Sequence, residues 1–444
     1  MSEINKQELI KLLEKLVSYN TVNIPTEDIK SPRDCADFIV ENLKEKGIKS
    51  KVFEDNGYYS VYGKVGEGDF HLLLMAHFDV VPVSDGWSTD PFTMVIKENI
   101  AYGRGVIDNK NNVASIMTIL PDIKKLDLKK MTVCFELSGD EEIGGVHSAG
   151  NYMKKFGRMP DAVMNLDGAG ECIISRRRNA MGARLSLPKK KAKAKGKKVE
   201  RKFESEQHGR HTAYQHRGAD VHCMIKASVE ASWDYLKVIN CKGKFIKGNV
   251  VPDEITLTAI EPSDSEKAQE YEYDKGVTAL FENLRYLVNT QFPTEFSTYG
   301  ITIGPNMLFE RDDHWELGLD IRAMSQNYEE IEKALNDMCT ELFGKNNYNL
   351  AFKPGQGMVN TPRDSMLIST VLEVSKEYKL PSKIVEMGGA SDARYFSREG
   401  IPTFDFGPDG GNVHANDEWL NLDSFHKITK FYLEVVKRIL KKVK

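Results

Sequence analysis

What this 444-residue chain lacks narrows it quickly. No run of about 18 apolar residues occurs, so no segment is built to cross a bilayer as a helix. The opening stretch, MSEINKQELIKLLEKLVSYN, has no basic head followed by an apolar block and does not read as a signal peptide. Ile4, Leu9, Leu12, Leu13, Leu16 and Val17 share one face there, which predicts an amphipathic helix. The six cysteines (Cys35, Cys134, Cys172, Cys223, Cys241 and Cys339) are scattered. None forms a C-x-x-C pair, which excludes a local thiolate zinc knuckle or redox dithiol and fits a reducing cytoplasm. Neither sign of charge dominates: 61 Lys and Arg against 65 Asp and Glu leave a formal net charge of −4. That offers no global attraction to nucleic acid or to an anionic membrane, so neither is expected as a partner. No internal repeat is present.

The balance of 41% hydrophobic and 28% charged residues is that of a soluble globular protein, long enough for two domains. Strands are predicted at 70–76, 131–137 and 161–166, with a helix following Asp108 and ending near Pro121. A short strand at 402–407 and an amphipathic helix at 424–443 resume this pattern at the end of the chain. Alternating β and α elements point to an α/β layer fold. The middle differs. Residues 188–202, PKKKAKAKGKKVERK, are strongly basic with no interleaved aromatics, and read as a solvated hairpin loop rather than a nucleic-acid-binding arm. Helical patterns follow at 218–232 and 327–343, and strand-like pieces near 254–260 and 315–322. We read 180–355 as a domain inserted between residues 1–179 and 356–444.

Each buried strand delivers polar groups at its carboxyl end. MAHFDVVP closes the first with His77 and Asp79, and CFELSGDEEIGG the second with Asp140, Glu141 and Glu142. VMNLDGAGE closes the third with Asp167, and FDFGPDGGNVHANDEW follows the fourth with His414. Between the first two, AYGRGVIDNKNN is a Gly-flanked turn carrying Asp108. In open α/β sheets that rim is where ligands bind. Imidazole and carboxylate without thiolate suit zinc, or manganese and cobalt. Two histidines, a bridging carboxylate and two further carboxylates complete a two-metal site of the kind hydrolases use, with ions about 3.5–4 Å apart. Of Glu141 and Glu142, the second can ligate while the first stays free as a base. Taken singly, these residues have plainer readings. The glutamates form an acidic pair at a helix N-terminus, Asp167 is a turn residue, and His71, His314 and His426 are surface or satisfied core histidines. Five motifs at strand ends in one domain weigh against the plainer readings.

HFDVVP, GRGVIDNK, GDEEIG, LDGAGE and a late histidine loop, in this order, resemble the co-catalytic zinc metallopeptidase and deacylase family. That family includes succinyl-diaminopimelate desuccinylase, acetylornithine deacetylase, carboxypeptidase G, aminoacylase and PepV-type dipeptidases. The resemblance covers nearly the whole chain. It implies a zinc-exopeptidase-like catalytic domain, a mixed and mostly parallel sheet flanked by helices, with an inserted α+β lid or dimerisation domain. It implies two divalent ions, zinc first, with cobalt and manganese as alternatives. By the same resemblance His77 and Asp167 ligate one ion, Glu142 and His414 the other, and Asp108 bridges. Asp79 orients His77, and Glu141 is the general base. GRHTAYQHRG resembles the loop whose histidine, here His211, stabilises the oxyanion and in dimeric members comes from the partner subunit, so a homodimer through the inserted domain is implied. LDIR places Arg322 on the substrate carboxylate, with Asn249 beside it (Asn306 is the alternative), and GGASDARYF adds Arg394 as a second carboxylate binder. The chain departs from the family pattern at Gln215, where proline is frequent, and at Asn111, where glycine is common. The implied activity is hydrolysis of the amide bond of an N-acyl amino acid with a free carboxylate. A dipeptidase or carboxypeptidase is the alternative, and a non-catalytic binding module a remote one.

Overall fold

Leu72, Leu73, Leu74 and Met75 are buried to 1% exposure or less because their strand, Phe70–His77, lies mid-sheet with both faces covered. Successive side chains alternate between faces. Leu72 and Leu74 accordingly join one core with Val113, Leu120 and Val435, and Leu73 and Met75 join another with Tyr152 and Phe396. A strand buried on both faces reads as a continuous apolar run rather than an alternating one. The computed structural model describes residues 4–206, 211–214 and 222–443. It comprises two compact units. One contains Met1–Arg176, Val359–Val385 and Ser391–Lys444, and the other Arg177–Met358 and Glu386–Ala390.

The first unit is built on a nine-stranded sheet. Eight of its strands run in the order Ser50–Asp55, Tyr58–Val65, Met131–Ser138, Phe70–His77, Ala162–Asn165, Thr403–Asp405, Ile173–Arg177 and Val359–Asn360. Met131–Ser138, Phe70–His77, Ala162–Asn165 and Thr403–Asp405 are mutually parallel and their flanking partners antiparallel, so the sheet is mixed. Parallel register sets the carboxyl ends side by side: His77 pairs with Ser138, Met75 with Asn165, and Asp405 with Asn165. Helices Lys6–Val17, Lys110–Lys124 and Leu422–Lys442 contribute to the first core. The first of them starts at Asn5, whose side chain caps Gln7 and Glu8. Pro121 does not end its helix, which runs on to Lys124. Its ring removes one backbone donor, and burial of Ile123 holds the last turn in place. A small sheet of Val95–Lys97, Ile100–Tyr102, Trp419–Asn421 and Gly410–Gly411 brackets the late histidine loop. Among the described residues, no helix is long and apolar enough to cross a membrane.

The second unit holds two four-stranded antiparallel sheets and the helices Cys223–Trp233, Lys275–Leu287 and Tyr328–Phe343. Residues 218–221 of the expected helix lie outside the described residues. The basic run is a correction to the sequence reading: it is not a loop but most of the strand Lys191–Glu204. Its charge is matched across the sheet. Lys193 lies opposite Glu272 and Lys195 opposite Glu270 in the neighbouring strand Gln269–Asp274. Lys191 pairs with Glu272 at 2.8 Å and Lys193 with Glu270 at 3.0 Å, while Arg201 meets Glu230, Asp234 and Glu261. Opposite charges across adjacent strands favour that register.

Candidate metal centre

His77 closes its strand with 2% exposure. Its Nδ1 donates to the Asp79 carbonyl oxygen at 3.0 Å, which turns Nε2 out of the strand end. Nε2 lies 3.0 Å from Asp108 Oδ1 and 3.7 Å from Asp167 Oδ1. The other Asp108 oxygen faces the second histidine, with Oδ2 3.0 Å from His414 Nε2. That nitrogen is also 3.1 Å from the Glu142 carboxylate. One carboxylate therefore stands between two imidazoles, and each imidazole has a further carboxylate of its own. Two overlapping donor groups, His77–Asp108–Glu142 and His77–Glu141–Asp167, each have their ligand atoms within 4.8 Å of one another. The two groups share His77, and with Asp108 between the two imidazoles this set of imidazole nitrogens and carboxylate oxygens fits two divalent ions of the zinc, cobalt or manganese type.

Neighbouring groups fix the site. The Asp79 carboxylate accepts the Glu141 and Glu142 backbone N–H groups at 3.1 Å each, so it pins the glutamate turn, while its Oδ1 is 3.4 Å from His77 Nδ1. Asn109 Nδ2 donates to the Leu166 carbonyl at 2.8 Å and to Asp167 Oδ1 at 3.2 Å. Arg394 donates to the Gly144 carbonyl at 2.7 Å, and so does the Tyr395 hydroxyl at 2.7 Å. Arg394 is 7% exposed and anchors the glutamate loop from below. Gly145 has φ 64°, and a Cβ there would lie 1.9 Å from Asp392 Oδ1, so only glycine fits against that carboxylate. Burial pushes Asp392 up to about 8 despite the adjacent Arg394. Asp392, Asn109, Arg104 and Glu418 were missed by the sequence reading. Their one sequence signal is that each lies within four residues of a residue already singled out.

Charge in the site is tightly coupled. Burial, then the Asp167 and Asp392 charges, raise Glu141 well above the usual carboxylate range. Burial opposes charge on His414, yet Glu142 and Asp108 outweigh it and push the imidazole up to about 11. His77 is also raised, because Asp108, Asp167 and Asp79 overcome its burial. A metal ion must displace these protons, so apparent zinc affinity should climb between about pH 6 and pH 8, by about tenfold per pH unit for each proton released. Competition titrations across that range, with proton release followed in parallel, check this. A pH-independent affinity would mean the imidazoles are not ligands.

The remaining expected residues belong to the second unit. His211 Nδ1 accepts the Ala213 N–H at 2.9 Å, so the neutral ring carries its proton on Nε2. Asn249 lies 2.9 Å from that nitrogen. Among the described residues its Oδ1 has no hydrogen-bond partner, and turning the amide lets this oxygen accept from Nε2–H. Asn306 is spent internally on Thr212 Oγ1 at 2.6 Å and the Gly248 carbonyl at 2.7 Å. Arg322 Nε donates to both Asp320 oxygens at 3.1 and 3.2 Å. Gln215 lies outside the described residues.

The family model of peptidase family M20/M25/M40 matches residues 73–438. A succinyl-diaminopimelate desuccinylase from Wolinella succinogenes is 23% identical over 442 residues, covering 97% of this chain and 100% of that protein. The crystal structure of an aminoacylhistidine dipeptidase from Vibrio alginolyticus superimposes with a TM-score of 0.69 at 13% identity, covering 98% of this chain and 96% of that one. An M20 family metallo-carboxypeptidase from Sulfolobus solfataricus gives 0.64 at 17% identity, covering 98% and 99%. At those identities the two structures speak to fold alone.

Proposed function

The chain belongs to peptidase family M20/M25/M40, and from that premise we propose that it is a two-metal amidohydrolase that removes the acyl group from an N-acyl amino acid bearing a free carboxylate. The observation that carries this reading is Asp108 between His77 and His414, with Glu141 beside them. His77 and Asp167 would hold one ion, His414 and Glu142 the other, and Asp108 both. Zinc is the first choice, cobalt or manganese the alternatives. When bound, the ions supply Lewis acidity that polarises an amide carbonyl and makes a water acidic.

The chain's own residues supply the rest. Asp79 holds the backbone of Glu141 and Glu142 so that their side chains diverge into separate roles. Glu141 takes the proton of the attacking water and returns it to the leaving amine, and its raised pKa suits a group that must both accept and release. We assign His211 to a developing oxyanion, its Nε2–H passing from the Asn249 amide oxygen to that oxygen when substrate binds. Arg322 and Arg394 are the groups we assign to substrate carboxylates, Arg being suited by its planar fork. Deacylation is preferred over peptide cleavage because the desuccinylase of W. succinogenes aligns over its whole length. Free thiols at all six cysteines agree with a cytoplasmic setting.

An amide-hydrolysis panel tests this. N-succinyl-diaminopimelate, N-acetyl-ornithine, other N-acetyl amino acids and several dipeptides are offered with zinc, cobalt or manganese, and again after chelation. Chelator-sensitive cleavage confined to the acylated amino acids is expected. Cleavage confined to dipeptides would overturn the deacylase assignment, and cleavage of nothing by the metal-loaded protein would favour the binding module.

A further inference from the structure

We propose that Glu418 is the positioning residue that assembles the His414 side of the metal pair. This rests on the two-ion reading of the site. Glu418 is 0% exposed. Its Oε2 accepts from Arg104 Nη1 at 2.7 Å and from the Gly105 N–H at 3.0 Å. Its Oε1 accepts from the Ile107 N–H at 2.9 Å and the Asp108 N–H at 3.1 Å. Four donors fill the capacity of one carboxylate, and three of them are backbone groups of the turn that ends in Asp108. The Glu418 backbone closes the ring by accepting the Gly103 N–H at 3.1 Å. Arg104, 1% exposed, lies 5.0 Å from the Trp87 ring and reaches the His414 carbonyl at 3.4 Å. One buried carboxylate thus ties the bridging ligand's turn to the loop that carries His414.

The fold makes that tie necessary. Strands Ile100–Tyr102 and Trp419–Asn421 are paired, with Tyr102 opposite Trp419. Beyond that pair both segments leave the sheet, one toward Asp108 and the other through the loop of His414. That loop is under backbone strain: Asn412, His414 and Asp417 have φ of 55°, 63° and 52°, where side-chain-bearing residues are uncommon. Asn416 and Asp417 tie its rim to Asp85 and Ser88, but these bonds are exposed and compete with water. The opposite side needs no such device. His77 and Asp79 sit on a buried strand end, and Asn109 holds Asp167. Because Asp108 would serve both ions, loss of Glu418 touches both, and the His414 side, whose loop carbonyl is also held through Arg104, depends on it more.

The test is zinc titration of the chelator-stripped full-length protein against a chromophoric chelator, with circular dichroism and apo-protein melting alongside. The wild type is expected to bind two ions tightly. Glu418→Gln should keep the first and bind the second about 10–100-fold more weakly, the range that loss of an outer partner of a metal ligand produces. Its amide offers one acceptor and turns an NH2 toward Arg104 and the Gly105 N–H. Arg104→Lys leaves a cation for Glu418 but loses the His414 carbonyl, and should weaken the same ion by less. Equal weakening of both ions, or of neither, in a folded Glu418→Gln protein overturns the inference. If that variant does not fold, Arg104→Lys decides by the same criterion. A wild type that binds fewer than two ions overturns the two-ion reading, and this inference with it, whereas unaltered binding in the variants overturns the inference alone.

Discussion

Glu141→Gln is expected to lower kcat by about 10²–10⁴-fold, the usual contribution of a positioned general base, while KM changes little and two metal equivalents remain bound. The backbone of residue 141 is fixed by Asp79 at 3.1 Å whatever its side chain, so the substitution leaves the turn and the neighbouring Glu142 in place. Among the described residues the Glu141 carboxylate makes no side-chain hydrogen bond, unlike Asp108 and Glu142, each of which faces an imidazole. Burial and the Asp167 and Asp392 charges raise its proton affinity, which is what a base needs to strip a proton from an acidified water. Glutamine has the same volume and cannot take that proton. Glu141→Asp, which retracts the carboxylate by one methylene, should recover part of the loss. Steady-state kinetics on protein reloaded to measured metal content check both. Wild-type-like turnover in Glu141→Gln would remove Glu141 from the role of base.

The first unit was legible in the sequence because its signals are local. Leu72–Met75 is a buried strand in any context that covers both faces, and the polar residue that ends such a strand falls at the rim by construction. His77, Glu142 and Asp167 close or follow strands whose parallel register brings their ends together. The failures are non-local. Lys191–Glu204 looks unfoldable alone, and becomes a strand because Glu270 and Glu272, nearly eighty residues after the lysines they face, stand opposite them. For Asn249 and Asn306, spacing to Arg322 favours the second and local motif the first, and neither signal shows which amide lies at the His211 ring and which is spent on Thr212. Glu418 and Arg104 lie more than three hundred residues apart, so nothing in either segment could announce their pairing.

Asp108→Ala is expected to cost more bound metal than any other single change in the site, with loss of tight binding of both ions and a fall in activity beyond about 10³-fold, more than the roughly 10–100-fold that loss of an outer partner costs. Its two oxygens each sit 3.0 Å from a different imidazole nitrogen, so in the proposed pair each ion loses a ligand with it. The charge balance points the same way. Two divalent ions against the carboxylates of Asp108, Glu142 and Asp167 leave one net positive charge, and without Asp108 they leave two in a partly buried site, with nothing negative between the ions. Asp108→Asn keeps the shape and one acceptor oxygen, so it should retain a single ion on whichever side that oxygen faces. His414→Ala, by contrast, removes one ligand of one ion and should leave the His77 side occupied. Elemental analysis after dialysis against limiting zinc separates the three variants, with expected contents of none, one and one. An Asp108→Ala protein that still holds two equivalents would mean the bridge is made elsewhere, and a His414→Ala protein that loses both ions would mean the pair binds as a unit rather than as two half-independent sites.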